Sequence, residues 1–338
     1  MTLNSIGDQA RAYALTVATN RTKTTLATLT EELASGMVAD LGQRLDGNTR
    51  ALNEIEGRMV LTRQLNQNAS EAAVQLRAVQ DMFEGIRAST SDLGISLSAD
   101  IFIDGSLLIG TGLAQAVDAF DISIRRLNGT NSNRHLMSGD ASGTVPLIDA
   151  SLIMDQLVAI TAGMSTADDV AMAISNWFDA PSGGGGFLDV AYSGGLGPAQ
   201  KISVGDGMAV EMTTTAASPA VRDLLKGLAT GAIVQRGVLG ADQAERGRLM
   251  KLSGDLLTAA DSAVLGEMGR VGVAQQSVER AQATNGAVLN TLDLARNDLL
   301  RADPLETTAA LTEVKAQLDT IYAVTARLSK LRLVDFLR

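Results

Sequence analysis

Few side chains in this sequence could carry acid–base or nucleophilic chemistry. His135 is the only histidine, and no cysteine occurs among the 338 residues. One histidine cannot build a histidine-based triad or a two-histidine metal site, and without thiols there is no disulfide, thiol nucleophile or cysteine–zinc centre. His135 lies in the polar stretch NSNRHLMSGD, where we expect a structural or exposed side chain rather than a general base acting alone.

Glycine-rich and acidic stretches also lack the patterns of ligand sites. The runs GSLLIGTG and GGGGFLDVAYSGGLG have neither the Gly-Lys-Ser/Thr ending nor the strand-then-helix context of a phosphate-binding loop. Asp168 and Asp169 form no calcium loop, and they open a predicted helix whose dipole favours carboxylates there. The sequence therefore predicts no catalytic residue, no cofactor and no metal, and a protein that is not an enzyme.

The apolar content is aliphatic rather than aromatic. Hydrophobic residues make up 46% of the sequence but aromatic residues only 3%, which suits seams between helices better than an aromatic-lined pocket. Trp177 and Phe178 form the densest aromatic spot. We expect them to anchor a small core in the middle of the chain, and a hot spot for a partner protein is the alternative.

Charge and hydropathy limit the partners. The net charge of −10 and the pI near 4.7 argue against nucleic acid, because no basic face could neutralise phosphates. No apolar run reaches the roughly 18 residues of a transmembrane helix, so we expect no membrane insertion. The start, MTLNSIGDQARAYAL, lacks the basic and apolar regions of a cleaved secretory signal. We therefore expect a cytoplasmic protein or one exported without such a signal.

Two long segments carry the strongest structural signal, an apolar seam with coiled-coil spacing. From Leu65 onward apolar residues alternate four and three apart, and from Val264 to Leu299 seam residues recur every seven. Asn285 occupies one of these positions, where a buried polar residue can fix the register of a helix pair. The predicted intrachain arm seam consists of Leu65, Leu76, Val79, Phe83, Ile86, Val264, Val271, Val278, Asn285, Leu292 and Leu299.

The middle of the chain has a different pattern. Thr166 and Asp169 form a capping-box pattern at the start of a short helix, and Ser218-Pro219 starts another helix, for which Gly231 is the expected C-cap. Between these helices lie FLDVAY, AQKISV and MAVEMTT, three short runs separated by turn sequences. The sequence thus predicts a small antiparallel meander inside an α/β insert.

Apolar stripes also run along both ends of the chain. A single seam between two threonine-rich end helices would barely offset the entropy of ordering them, because a buried leucine contributes about 1.5–3 kcal/mol and ordering a residue costs about 1–2 kcal/mol. We therefore expect the ends to be partly disordered alone and to fold between neighbouring chains. The predicted assembly interface consists of Leu26, Leu29, Leu33, Leu311, Val314, Leu318, Ile321, Leu328 and Leu331.

These patterns predict a mainly α fold. Long antiparallel coiled-coil helical arms from both chain halves bracket the small inserted α/β domain. The predicted segments are an N-terminal assembly helix (1–45), a first helical arm (46–140), the inserted outer domain (141–234), a second helical arm (235–302) and a C-terminal assembly helix (303–338).

Three stretches resemble the flagellin superfamily. LTEELASGMVADLG (29–42) is similar to the Leu- and Ser-Gly-containing element that follows the family's first terminal helix, and LRAVQDMFEGIR (76–87) falls where the family has a helix of similar spacing. TEVKAQLDTIYAVTARLSKLRLVDFLR (312–338) resembles the family's last helix, which also ends in Leu-rich residues and Arg. Their order and placement carry a flagellin-like resemblance over about two thirds of the chain.

Within the superfamily, the chain is most similar to the hook–filament junction proteins of the hook-associated protein 3 type. MVADLGQRLDG lacks the acidic pair that flagellins carry at this place, and NRHLMSGDASGTVPL resembles the entry into the junction proteins' insert. A filament flagellin subunit is the alternative within the superfamily. Outside it, a secreted coiled-coil adaptor with a binding insert remains open.

The resemblance implies a structural, self-assembling role in cell motility. Such proteins leave the cell through the flagellar type III export channel without a cleaved signal and belong to the extracellular flagellum. The resemblance implies partners among the flagellar axial proteins, namely further copies of the chain, the hook-side junction protein and flagellin. It also implies that an export chaperone binds the C-terminal segment, that the termini form an inner coiled-coil layer and that the insert faces outward.

Overall fold

The computed structural model describes residues 3–40, 42, 48–98, 106–240 and 242–336. Within these ranges it contains nine α-helices and two antiparallel strand pairs, β1–β2 and β3–β4. In chain order the elements are α1 Leu3–Ser35, α2 Arg50–Ser98, α3 Ser106–Leu127, β1 Thr130–Asn131, β2 Arg134–His135, α4 Ala150–Ile160, α5 Ala167–Asp179, α6 Phe187–Val190, β3 Gln200–Gly205, β4 Met208–Met212, α7 Pro219–Ala232, α8 Gln243–Leu300 and α9 Pro304–Phe336.

The predicted fold class, mainly α with a small α/β part, is confirmed. The chain forms two compact units. The terminal unit comprises Met1–Leu61 with Ala287–Arg338, and the central unit comprises Thr62–Gly286. Among the helices that the structure describes, none is both long and apolar enough to cross a membrane.

In the central unit α2 and α8 run antiparallel. Three hydrogen-bonded pairs join the two helices: Ser70–Gln282 at 3.3 Å, Arg87–Asp261 at 2.7 Å and Ser98–Asp255 at 3.0 Å. From pair to pair the residue number rises on α2 and falls on α8, which is the order of antiparallel helices. The backbones approach closely at Gly94 and Gly254, where an added Cβ on Gly254 would overlap the backbone of Ser98. The core beside them contains the fully buried Phe83 and Ile86.

The central unit also holds the aromatic cluster. Thr166 caps α5 by accepting a hydrogen bond from the Asp169 amide at 3.2 Å, as the sequence predicts. Trp177 and Phe178, near the end of α5, are buried, and their ring centroids lie 5.9 and 5.2 Å from that of Phe187. The expectation that these two residues anchor a core is confirmed.

The prediction of a strand at FLDVAY is wrong, because Phe187–Val190 forms the short helix α6. The carboxylate of Asp189 accepts hydrogen bonds from the amides of Gly183 and Gly185 at 2.8 and 2.7 Å, which folds the glycine loop back onto this segment. The buried Phe187 then packs on Phe178 in a helical turn. The sheet here is consequently the two-stranded β3–β4 hairpin rather than a three-stranded meander.

The predicted C-cap at Gly231 is also wrong. Helix α7 continues to Ala232 and passes into a 3₁₀ turn, Ile233–Arg236, which ends at Gly237 with a φ of 84°. Gly231 is needed for another reason, since an added Cβ would lie 2.7 Å from the hydroxyl of Ser253 on α8. Glycine at this position therefore permits close packing of two helices.

In the terminal unit α1 packs against α9. Gly36 ends α1 with a φ of 70°, and the backbone of Val38 donates to the Leu300 carbonyl at 2.8 Å. Helix α8 ends at Leu300, before Asp303-Pro304, as the sequence predicts. Asp303 caps α9 by accepting from the Leu305 amide at 2.8 Å. These contacts hold the end of α1 and the start of α9 side by side.

Candidate assembly surface

The predicted assembly residues lie on the α1–α9 pair but are incompletely covered. Leu33 and Leu328 remain 43% and 37% exposed. The side chain of Leu331 lies outside the described residues. The half-buried members of the predicted set are Leu26, Leu29, Leu311, Val314, Leu318 and Ile321. Thus no predicted assembly residue with a described side chain is fully buried.

The buried side chains of this helix pair are threonines. Within the described side chains of α1 and α9, only Thr22 and Thr307 are buried. A leucine at such positions would remove more apolar area from water. The pair therefore stabilises itself less than a leucine seam would.

Threonine hydroxyls in α1 are satisfied inside the helix. Each donates to the carbonyl oxygen four residues earlier, as at Thr19, where the distance is 2.7 Å, and Thr30, also 2.7 Å. The same contact is made by Thr16, Thr22, Thr24, Thr25 and Thr28. Because the hydroxyls are bonded to their own backbone, these side chains need no polar partner across a helix interface.

Sequence spacing missed a second set of exposed apolar residues in the terminal unit. Tyr13 and Leu305 are 73% and 82% exposed, and Tyr322 lies 5.8 Å beneath the ammonium group of Lys23. Val17 and Val324 are also exposed. These residues stand beside the seam positions, so a search for one seam cannot find them, although Tyr13 and Val17 share the four-residue spacing of a helix face.

Two grooves run along the α1–α9 pair. The first, of about 590 Å³, is lined mainly by small and apolar residues, among them Tyr13, Val17 and Val314. The second, of about 460 Å³, lies near the start of α9 and is lined by four carboxylate residues: Glu32, Asp40, Asp303 and Glu306. The terminal pair thus offers an apolar groove and an acidic one.

The residues of the predicted arm seam lie on α2 and α8. Those that the structure buries are Leu76, Val79, Phe83, Ile86, Val264, Val271, Val278 and Asn285. Leu65, Leu292 and Leu299 are half-buried. The seam positions on the central parts of the two helices are therefore the best covered.

Asn285 has a contact that the heptad pattern could not reveal. Its amide nitrogen donates to the carbonyl of Val204 on β3 at 2.8 Å. Asn68 on α2 donates to the neighbouring carbonyl of Ser203 at 3.1 Å. Two side-chain amides, one from each long helix, therefore fix strand β3 to the helices.

Two titratable side chains outside this surface, His135 and Lys226, have structural contacts. His135 is half-buried, and its Nδ1 lies 3.0 Å from the carbonyl oxygen of Asn128. Lys226 is buried and bonds the carboxylates of Asp179 and Asp223 at 2.8 and 3.0 Å. Within the described residues no group of three or more His, Cys, Asp or Glu side chains could hold a metal ion.

Among solved structures the chain has a distant likeness. No protein-family model matches the chain, and no curated protein matches it. The chain is similar to a solved structure named as a "putative flagellar hook-associated protein" of Vibrio parahaemolyticus, with 12% identity and a TM-score of 0.41. The match covers 75% of this chain and 93% of the other. At this distance the likeness assigns no function.

Proposed function

We propose that this chain is a structural subunit of the bacterial flagellum that polymerises through its two terminal helices. The observation that carries the proposal is the uncovered apolar surface of the α1–α9 pair. Its seam leucines are half-buried at best, and Tyr13, Val17 and Leu305 face solvent. Tyr13 and Val17 also line one groove with Val314, and a grouped apolar surface of this kind marks an interaction site.

Assembly would bury the apolar side chains that a single chain leaves partly exposed. Half-buried residues such as Leu318 and Ile321 gain area removed from water only when a neighbouring subunit covers them. Threonines with internally bonded hydroxyls can enter such an interface without unsatisfied polar groups. The terminal helices therefore gain order and stability together as subunits associate.

The place in the flagellum comes from the sequence resemblance. The stretches 29–42 and 312–338 resemble the ends of flagellin-superfamily proteins, and 133–147 resembles the junction proteins' insert entry. The subunit would then sit between the hook-side junction protein and flagellin. It would be exported without a cleaved signal, with an export chaperone bound to its C-terminal segment, and the segment 141–234 would face outward.

Electron microscopy of labelled flagella tests this placement. An epitope inserted at the exposed turn Ala162–Gly163, between α4 and α5, leaves the terminal helices unchanged. Label confined to the hook end of the filament is the expected result. Label along whole filaments would identify a filament subunit instead, and absence of label from flagella would reject the flagellar role.

A further inference from the structure

Charge is unevenly distributed along the terminal helices. Where α1 ends and α9 begins, the segments 31–40 and 301–314 contain six acidic residues and one basic residue. The outer segments, 1–30 and 315–338, contain eight basic residues and three acidic ones. Because α1 and α9 pack side by side and are joined near Leu300, each chain has one acidic end and one basic end on this pair.

Nine of these charged side chains make no ion pair within the described residues. They are Arg11, Arg21, Lys23 and Arg327 at the basic end, and Glu31, Glu32, Asp303, Glu306 and Glu313 at the acidic end. Elsewhere oppositely charged side chains do meet, as in Arg87–Asp261 at 2.7 Å. These side chains of the α1–α9 pair can therefore form ion pairs with another molecule.

The outermost charges of the basic end lie too far from the acidic end of the same chain to neutralise it. Arg11 and Glu32 are separated by 21 positions of one helix, which is about 30 Å at a rise of ~1.5 Å per residue. Screening in physiological salt acts over about 8 Å. A partner for each end must therefore come from another molecule.

The acidic end has the shape to receive such a partner. Its groove of about 460 Å³ has the half-buried Leu29 and Val38 beside the carboxylates. Glu32 and Asp303 are held in place because each accepts a backbone hydrogen bond, from Ala39 at 2.9 Å and from Leu305 at 2.8 Å. A carboxylate oxygen with one such bond retains lone pairs for an incoming ammonium or guanidinium group.

We propose that this groove receives the basic end of the terminal helix pair of a second copy of this chain, so that subunits stack head to tail. The inference rests on the proposed function and specifies its contact. Two like ends would repel each other, which disfavours a two-fold dimer through either end. A contact between unlike ends leaves one acidic and one basic end uncovered and can continue into a ring or a filament.

Charge reversal in the full chain tests this contact. Glu31→Lys, Glu306→Lys and Glu313→Lys together change the acidic end from a net −5 to +1, and Arg21→Glu, Lys23→Glu and Arg327→Glu together change the basic end from +5 to −1. The matched control, Glu71→Lys with Glu84→Lys and Glu279→Lys, makes the same change at exposed positions of the central unit. Analytical ultracentrifugation measures the concentration needed for assembly, and circular dichroism verifies the helix content.

Each terminal variant alone should need at least about tenfold more protein to assemble, while an equimolar mixture of the two should assemble like the wild type. The wild type should also assemble less well in about 500 mM than in about 50 mM salt. Variants that assemble normally, or a mixture that restores nothing, would overturn the head-to-tail contact while leaving assembly itself intact. A wild type that stays monomeric at every salt concentration would overturn the proposed function as well.

Discussion

At the scale of single residues, the glycine loop before α6 depends on one carboxylate. Backbone hydrogen bonds from Gly183 and Gly185, with a weaker contribution from the Ser182 hydroxyl, lower the pKa of Asp189 below its ordinary value of 3.8. A lowered folded-state pKa adds stability above the ordinary value, and this stability is lost as the pH falls through the folded-state value. The loop is therefore an acid-sensitive element.

We expect Asp189→Asn to destabilise the protein at neutral pH, because the amide is a weaker acceptor for these backbone donors. The difference in the free energy of unfolding between this variant and the wild type, measured by urea denaturation, should shrink as the pH falls below about 4. Asp206→Asn, at the exposed turn between β3 and β4, is the control. A difference that stays constant from pH 7 to pH 3 would contradict this role of Asp189.

The same loop tests the need for close backbone packing. An added Cβ at Gly186 would overlap the carbonyl oxygen of Trp177 and the methyl group of Ala180, whereas one at Gly143 would meet nothing within 4 Å. We expect Gly186→Ala to lower the free energy of unfolding by about 1–3 kcal/mol and Gly143→Ala to leave it nearly unchanged. Equal melting temperatures for the two variants would show that the loop adjusts freely.

At the scale of elements, a substitution of Asn285 distinguishes two roles for this residue, a position in the apolar seam and a hydrogen bond to strand β3. If the residue only occupied an apolar seam, Asn285→Leu would stabilise the helix pair. The structure instead has its amide bonded to the Val204 carbonyl, so the variant should leave a buried acceptor unpaired at a cost of about 1–3 kcal/mol.

Hydrogen exchange should then show faster exchange in β3 and β4 for Asn285→Leu. The same substitution at Asn290, an exposed residue of the same helix, is the control and should leave the hairpin amides unchanged. Slower exchange throughout the hairpin would favour the seam interpretation.

Sequence periodicity predicts these elements where one helix face decides the structure. The seven-residue spacing from Val264 lies within the helix that it predicts, and the capping pattern at Thr166 lies at the start of its helix. Prediction from periodicity fails at FLDVAY, because the alternation of a short apolar run does not reveal that Asp189 closes a loop onto Phe187. It fails at Gly231, since a glycine that permits close packing and one that ends a helix look alike in sequence.

The candidate surface was predictable to a similar extent. The stripe from Leu311 to Leu328 follows from spacing alone, and the structure leaves it partly uncovered. The acidic groove and Tyr13 were not predicted, because both depend on how α1 and α9 lie against each other.

At the scale of the whole molecule, stability should differ between the two units. The central unit contains most of the buried apolar side chains, whereas the described parts of α1 and α9 bury only Thr22 and Thr307. In dilute solution, amides of α1 and α9 should therefore exchange with solvent well before those of α2 and α8 near Phe83 and Val264. Equal protection in dilute solution would mean that the terminal helices need no neighbour.

The central claim is that the incompletely covered face of α9 makes contacts between subunits. The most direct measurement is sedimentation of the full chain over a range of concentrations, with Leu318→Asp compared with Val273→Asp. Leu318 is half-buried on the α1–α9 pair, and Val273 is 65% exposed on α8 in the central unit. The wild type and Val273→Asp should form larger species as concentration rises, while Leu318→Asp should remain monomeric. Assembly of Leu318→Asp at wild-type concentrations would contradict the account.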